Sequence, residues 1–105
     1  MEFEKIFAGL VEAYRAVGPE ETYLARMMAE CYCRIDDITA LESQMLRVET
    51  VGPEEDLLAQ AMQQAQACRK HSKTLAKMAL SQSRLSRQIG VYRRALRSLQ
   101  RARAA

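Results

Sequence analysis

One five-residue phrase occurs twice in the chain: Val17-Gly18-Pro19-Glu20-Glu21 and, 34 positions later, Val51-Gly52-Pro53-Glu54-Glu55. Proline is tolerated at the first position of a helix, where its missing N–H has no partner to lose, and the glycine before it permits the turn. The glutamates that follow sit in the first turn, where the helix dipole favours negative charge. Each phrase therefore starts a helix, and the chain divides into three helical segments of about residues 2–16, 19–48 and 53–102. A 34-residue spacing is also the period of tetratricopeptide repeats. The similarity, however, fades after Leu24/Leu58, Ala25/Ala59 and Met28/Met62, and the aromatic and small-residue pattern of those repeats is missing. Two helices with the same cap chemistry are the simpler account.

The rest of the composition agrees. Of 105 residues 49% are hydrophobic and 28% charged, with only two Pro and four Gly. This describes a folded, all-α chain of one domain spanning 1–105. No run approaches the roughly 18 apolar residues that span a bilayer. The start, Met1-Glu2-Phe3-Glu4, is acidic where a signal peptide is basic, and three cysteines make an odd count. A cytoplasmic protein without a disulfide framework is therefore expected.

Each segment carries an apolar stripe at helical spacing. In the first it is Phe3, Ile6, Phe7, Leu10, Val11 and Tyr14; in the second, Leu24, Met28, Cys31, Ile35, Ile38, Leu41 and Met45. The third begins on Leu58, Ala61, Ala65, Cys68, Ser72 and Leu75. It continues, after a three-residue step, through Met78, Gln82, Leu85, Ile89, Tyr92, Leu96 and Leu99. Lys70–Thr74 and Gly90 are the places where it would bend or break.

A turn centred near Val51 makes helices two and three an antiparallel hairpin whose facing residue numbers add to about 102. Cys31 then faces His71 and Leu24 faces Met78. Continued backwards, the register sets Leu10 against Tyr92, Ile6 against Leu96 and Phe3 against Leu99. This favours a first helix nearly collinear with the second. The competing arrangement folds helix one back into a three-helix bundle. A hairpin buries one stripe per helix, which is thin for a monomer, so a helical bundle or coiled-coil-like homodimer is expected. Its candidate self-association seam is Leu75, Met78, Leu85, Ile89, Tyr92, Leu96 and Leu99.

Charge is divided along the chain. Residues 1–56 hold all 13 acids and 5 basic residues, a net of −8; residues 57–105 hold 11 basic residues and no acid. The plain account is that the two halves pair electrostatically and so select orientation and partner. The alternative is a nucleic-acid contact through Arg93, Arg94, Arg97 and Arg101, with Arg84 and Arg87 behind them. Against it stand the acids elsewhere in the chain, and Tyr92 is the only aromatic after Tyr32, so no base-stacking platform is present. Lipid binding is disfavoured because helix pairing accounts for the apolar stripe.

Cys31, Cys33, Cys68 and His71 raise the question of a metal. Residues two apart on a helix point about 200° apart, so Cys31 and Cys33 cannot serve one ion, and seam cysteines are commonly small hydrophobes. Asp36 and Asp37 diverge in the same way. With one histidine and no phosphate-binding glycine loop, no nucleophile–base pair assembles. No enzyme activity, cofactor, metal or small-molecule substrate is expected.

The series Val17-Gly18-Pro19, Glu21, Leu24, Met28-Ala29, Arg34-Ile35, Ile38, Leu41-Glu42 and Leu46 resembles an uncharacterised family of small bacterial helical proteins. The family pattern runs VGPxE, then LV, A, WRL, RI and E at matching intervals, before a long Leu- and Arg-rich helix similar to Leu85–Gln100. The chain departs from it at Cys33, where the pattern has Trp, and at Asp36-Asp37, where it has basic residues. The resemblance implies the helix assignment and brings no activity or site residues. The expected function is thus a non-enzymatic self-association or adaptor module. The alternative is a nucleic-acid-associated accessory protein.

Overall fold

The computed structural model describes residues 2–46 and 57–104. Among them are four helices and no strand: α1 (Glu2–Tyr14), α2 (Gly18–Met45), α3 (Leu57–Lys70) and α4 (Ser72–Ala104). The all-α fold is as expected. The second VGPEE phrase, with the expected end of helix two at Val48 and start of helix three at Pro53, lies outside the described residues. The expected third helix is divided at His71, inside the polar Lys70–Thr74 stretch, while Gly90 lies within unbroken α4. The division is slight, because His71 N–H still donates to Ala67 O and Leu75 N–H to His71 O.

Helix α1 ends in a Schellman motif. Ala16 N–H donates to Val11 O at 3.0 Å and Arg15 N–H to Glu12 O at 3.2 Å. Arg15 is left-handed, at φ 51°. Val17 is extended, and Gly18 is again left-handed at φ 83°. Glycine adopts that conformation without a Cβ penalty. Two left-handed residues within four positions reverse the chain, and Pro19 then opens α2. The Arg26 guanidinium consequently sits 5.5 Å from the Phe7 ring centroid. These residues would lie about 28 Å apart along a collinear pair of helices. The collinear arrangement is therefore overturned, and α1 runs back antiparallel along α2. Arginine at a position suited to glycine carries a backbone cost, so Arg15→Gly is expected to stabilise the fold by about 0.5–1 kcal/mol in urea unfolding. Arg15→Ala should give no comparable gain.

Helix α4 lies antiparallel to α2 in a register different from the one expected. Gln82 bonds Thr39, Arg93 reaches Tyr32 and Arg103 pairs with Glu21, so facing residue numbers add to between 121 and 125. Leu24 accordingly lies beside Leu99, not Met78, and Cys31 lies opposite the Ile89–Arg93 region, not His71. An apolar stripe repeating every three or four residues fits itself again after a slide of a few turns. Polar contacts at defined positions choose among those fits.

Met28, Cys31, Ile89 and Leu96 form the buried centre of the three-helix bundle. Leu10 and Tyr14 pack on it from α1, Leu24, Tyr32 and Ile35 from α2, and Leu85 and Tyr92 from α4. Ile89 and Leu96, two members of the expected self-association seam, are thus covered within one chain. Leu85, Tyr92 and Leu99 are half-buried against the same chain, Leu99 beside Pro19, Tyr23 and Leu24. Leu75 and Met78, at the other end of the seam, are half-buried. Helix α2 gives this part of α4 most of its cover, and Leu10 and Tyr14 of the folded-back α1 add to it. The described part of the molecule measures 63 × 25 × 17 Å, with α3 extending from the start of α4 and burying none of its residues.

Candidate functional site

Two surfaces and one anchor stand out. The anchor joins the start of α2 to the end of α4. Glu21 is 4% exposed, and its Oε1 accepts the Val17 backbone N–H at 3.1 Å, closing the first turn of α2. Arg103 Nε donates to Glu21 Oε2 at 2.8 Å, and the Gln100 amide donates to Glu21 Oε1 at 3.3 Å and to Tyr14 O at 2.6 Å. One carboxylate therefore secures the α1–α2 corner and the end of α4 together. The bond from Arg103 lowers its pKa from 4.5 to about 2, against the opposing effect of burial, and the Val17 N–H and Gln100 amide add to the lowering. Hydrogen bonds to a carboxylate favour its charged form. None of Glu21, Gln100, Arg103, Tyr14 or Tyr32 was picked out by sequence as an anchor. The available signal was the carboxylate four residues after Val17 in VGPxE, a position from which a side chain reaches back to an unpaired N–H.

The first surface is basic. Among the described residues the one ion pair is Arg103–Glu21. The six candidate arginines divide into three groups. Arg93 points inward, its Nε donating to Tyr14 Oη at 2.8 Å and its terminal nitrogen to Tyr32 Oη at 3.3 Å. These two hydroxyls favour its charged form and tie α1 and α2 to α4. Arg84 stands apart in an open groove between α2 and α4 with Arg34 and Asp37. Arg87, Arg94, Arg97 and Arg101 are exposed. Arg87, Arg94 and Arg101 stand seven residues apart, near one azimuth of the helix and away from the side bearing Ile89 and Leu96. Arg97 lies alongside, its guanidinium 6.0 Å from the Tyr14 ring centroid. That is within the range of cation–π attraction.

The second surface is the apolar side of α3. Leu58 and Met62 are 73% and 57% exposed. Ala61, Ala65 and Cys68 extend the same face at i+3 and i+4 steps. Leu57 is exposed beside it.

The cysteines do not converge. Cys31 is in the core, Cys33 is half-buried on another side of α2 and Cys68 is exposed on α3. Burial raises the pKa of both Cys31 and Cys33. No group of three or more metal-ligating side chains occurs among the described residues. None of the helices described is long and apolar enough to cross a membrane.

No family model, curated protein or solved structure matches the chain. Its function accordingly has to be read from the two exposed surfaces.

Proposed function

We propose that the protein is a non-enzymatic helical assembly module that associates with a second copy of itself through α3. The observation that carries this is a 14-residue helix with no buried residue and with Leu58 and Met62 open to solvent. Isolated helices of that length are marginal in water, and their stability in proteins comes from packing an apolar face. Among the described residues nothing covers Leu58 and Met62 of α3, so that face is open to a packing partner.

A second copy is the occupant that α3 suits. From Leu57 to Cys68 the helix carries no charged side chain, only Leu, Ala, Met, Gln and Cys. Two copies can meet along this face without like charges opposing each other, and the alanines permit close approach. A twofold contact of this kind is the commonest form of self-association. Bundle and interface are then separate: α1, α2 and α4 fold on themselves while α3 recruits.

Sedimentation equilibrium tests this reading. The native chain is expected to be dimeric at tens of micromolar, and Leu58→Glu with Met62→Glu is expected to be monomeric with its bundle intact by circular dichroism. A native chain that stays monomeric at several hundred micromolar would sink the self-association reading and leave α3 to a helix of another protein.

A further inference from the structure

We propose that Arg87, Arg94, Arg97 and Arg101 form a stripe that binds the phosphate backbone of duplex nucleic acid without reading its sequence. The inference stands on the bundle and not on α3, so it holds whether or not the chain dimerises.

The stripe is laid on a rigid element. Arg87, Arg94 and Arg101 lie within α4, spaced two turns apart. At the rise of an α-helix their Cα atoms extend over about 21 Å. The same face is richly cationic, and residues 57–105 contain no acid. Among the described residues these three guanidinium groups enter neither an ion pair nor a side-chain hydrogen bond. From Leu80 onward every basic residue of α4 is arginine. The planar guanidinium fork suits bidentate contact with phosphate and is more weakly hydrated than an ammonium.

The acids of α1 and α2 are the main objection, and the fold answers it. They belong to the layer on which α4 rests; Arg87 and Arg94 lie on the far side of α4 from it, while Arg97 and Arg101 border α1 beside Ala13 and Tyr14. Packed helices lie about 8–10 Å apart, comparable with the Debye length of about 8 Å at physiological ionic strength. A phosphate beyond the stripe therefore meets the arginines at contact range and the acidic layer largely screened.

The same surface argues for a duplex over other polyanions. Tyr92 is half-buried against the core, so the face offers no ring on which unpaired bases would stack. Its exposed apolar side chains, Leu80 and Val91, are isolated, and an interfacial lipid helix needs a continuous apolar side. A row of arginines spaced along one helix suits a rigid polyanion better than a flexible acidic peptide, which must be ordered to match it.

Fluorescence anisotropy with a labelled 20-base-pair duplex and the full chain tests the proposal. Four phosphate contacts predict a slope of log K against log salt of about −3.6, so affinity falls about 100-fold between 50 and 200 mM salt. Replacing Arg87, Arg94 and Arg101 together by glutamine removes exposed groups only, so the fold is retained by circular dichroism, and the slope is expected to drop to about −1. Arg84→Gln serves as the control and should bind like the native chain. The proposal is overturned by no binding at 50 mM salt with 100 µM protein, or by a triple variant that binds unchanged. A single strand or polyglutamate of matched charge that binds as tightly as the duplex overturns it equally.

Discussion

Truncating Leu96 to alanine is expected to destabilise the protein by about 2–5 kcal/mol, the cost of removing a fully buried leucine and leaving a cavity. Leu96 is completely inaccessible and packs in one cluster with Met28, Cys31 and Ile89, and of the described residues only Ala25 and Ala29 add further buried apolar side chains. The walls of this cluster have little freedom to collapse around a void, because α2 and α4 are tied by Gln82–Thr39 towards one end and Arg103–Glu21 at the other. Each kcal/mol lost moves the midpoint of a domain this size by about 4–8 °C, so thermal unfolding should shift down by roughly 10 °C or more. Leu80, 50% exposed on the same helix, provides the contrast. Its alanine variant should stay within about 0.5 kcal/mol of the native chain.

The Leu96 experiment also distinguishes folded-back α1 from a seam closed by another chain. If Leu96 were covered only on self-association, the penalty of truncation would disappear on dilution to the dissociated chain, in which Leu96 is exposed anyway. Covered by α1 and α2 of its own chain, it gives the same difference in midpoint at every concentration. A difference that varies with concentration would restore the seam Leu85–Leu99 as an interface.

The same residues show which parts of this architecture sequence patterns reveal. The start of α2 was legible because Gly18-Pro19 punctuates the chain chemically, and the stripes were legible because burial imposes the helical period. Direction across the α1–α2 corner was not. It depends on Arg15 adopting a left-handed conformation, which its side chain does not advertise, so a Gly-Pro pair that reverses the chain looks the same as one that kinks it. The helix register was hidden for a related reason. Leu85, Ile89, Tyr92, Leu96 and Leu99 would meet an apolar neighbour after several different slides, whereas Arg93 finds Tyr14 and Tyr32, and Arg103 finds Glu21, only after one. The basic face was visible as a count of charges. Its division into an inward Arg93, a grooved Arg84 and an outward row required the register first.

Acid should unfold this protein through Glu21 in particular, and Glu21→Gln should blunt that response. The folded-state pKa of about 2 lies below the ordinary 4.5, so the unfolded chain binds the proton more readily than the folded one. The contribution of Glu21 is therefore complete above about pH 4.5 and is lost progressively as pH falls towards 2. At neutral pH, Glu21→Gln keeps an oxygen for the Val17 N–H but gives up the charge that holds Arg103, whose side chain is 48% exposed and can turn to water. The expected fall in midpoint is a few degrees. Glu21→Ala removes the acceptor as well, so the Val17 N–H loses its bond and Arg103 its partner, while the Gln100 amide keeps only Tyr14 O. Its midpoint should drop by about 5–10 °C. The decisive comparison is thermal unfolding by circular dichroism at pH 7 and pH 3. The native chain should lose more stability between the two than Glu21→Gln does, and Arg103→Gln should fall between them, because the bond from Arg103 is the largest cause of the lowered pKa. Equal losses in the native chain and Glu21→Gln would move the acid-sensitive contact away from the α1–α2 corner and remove the case for Glu21 as the group that fixes the end of α4.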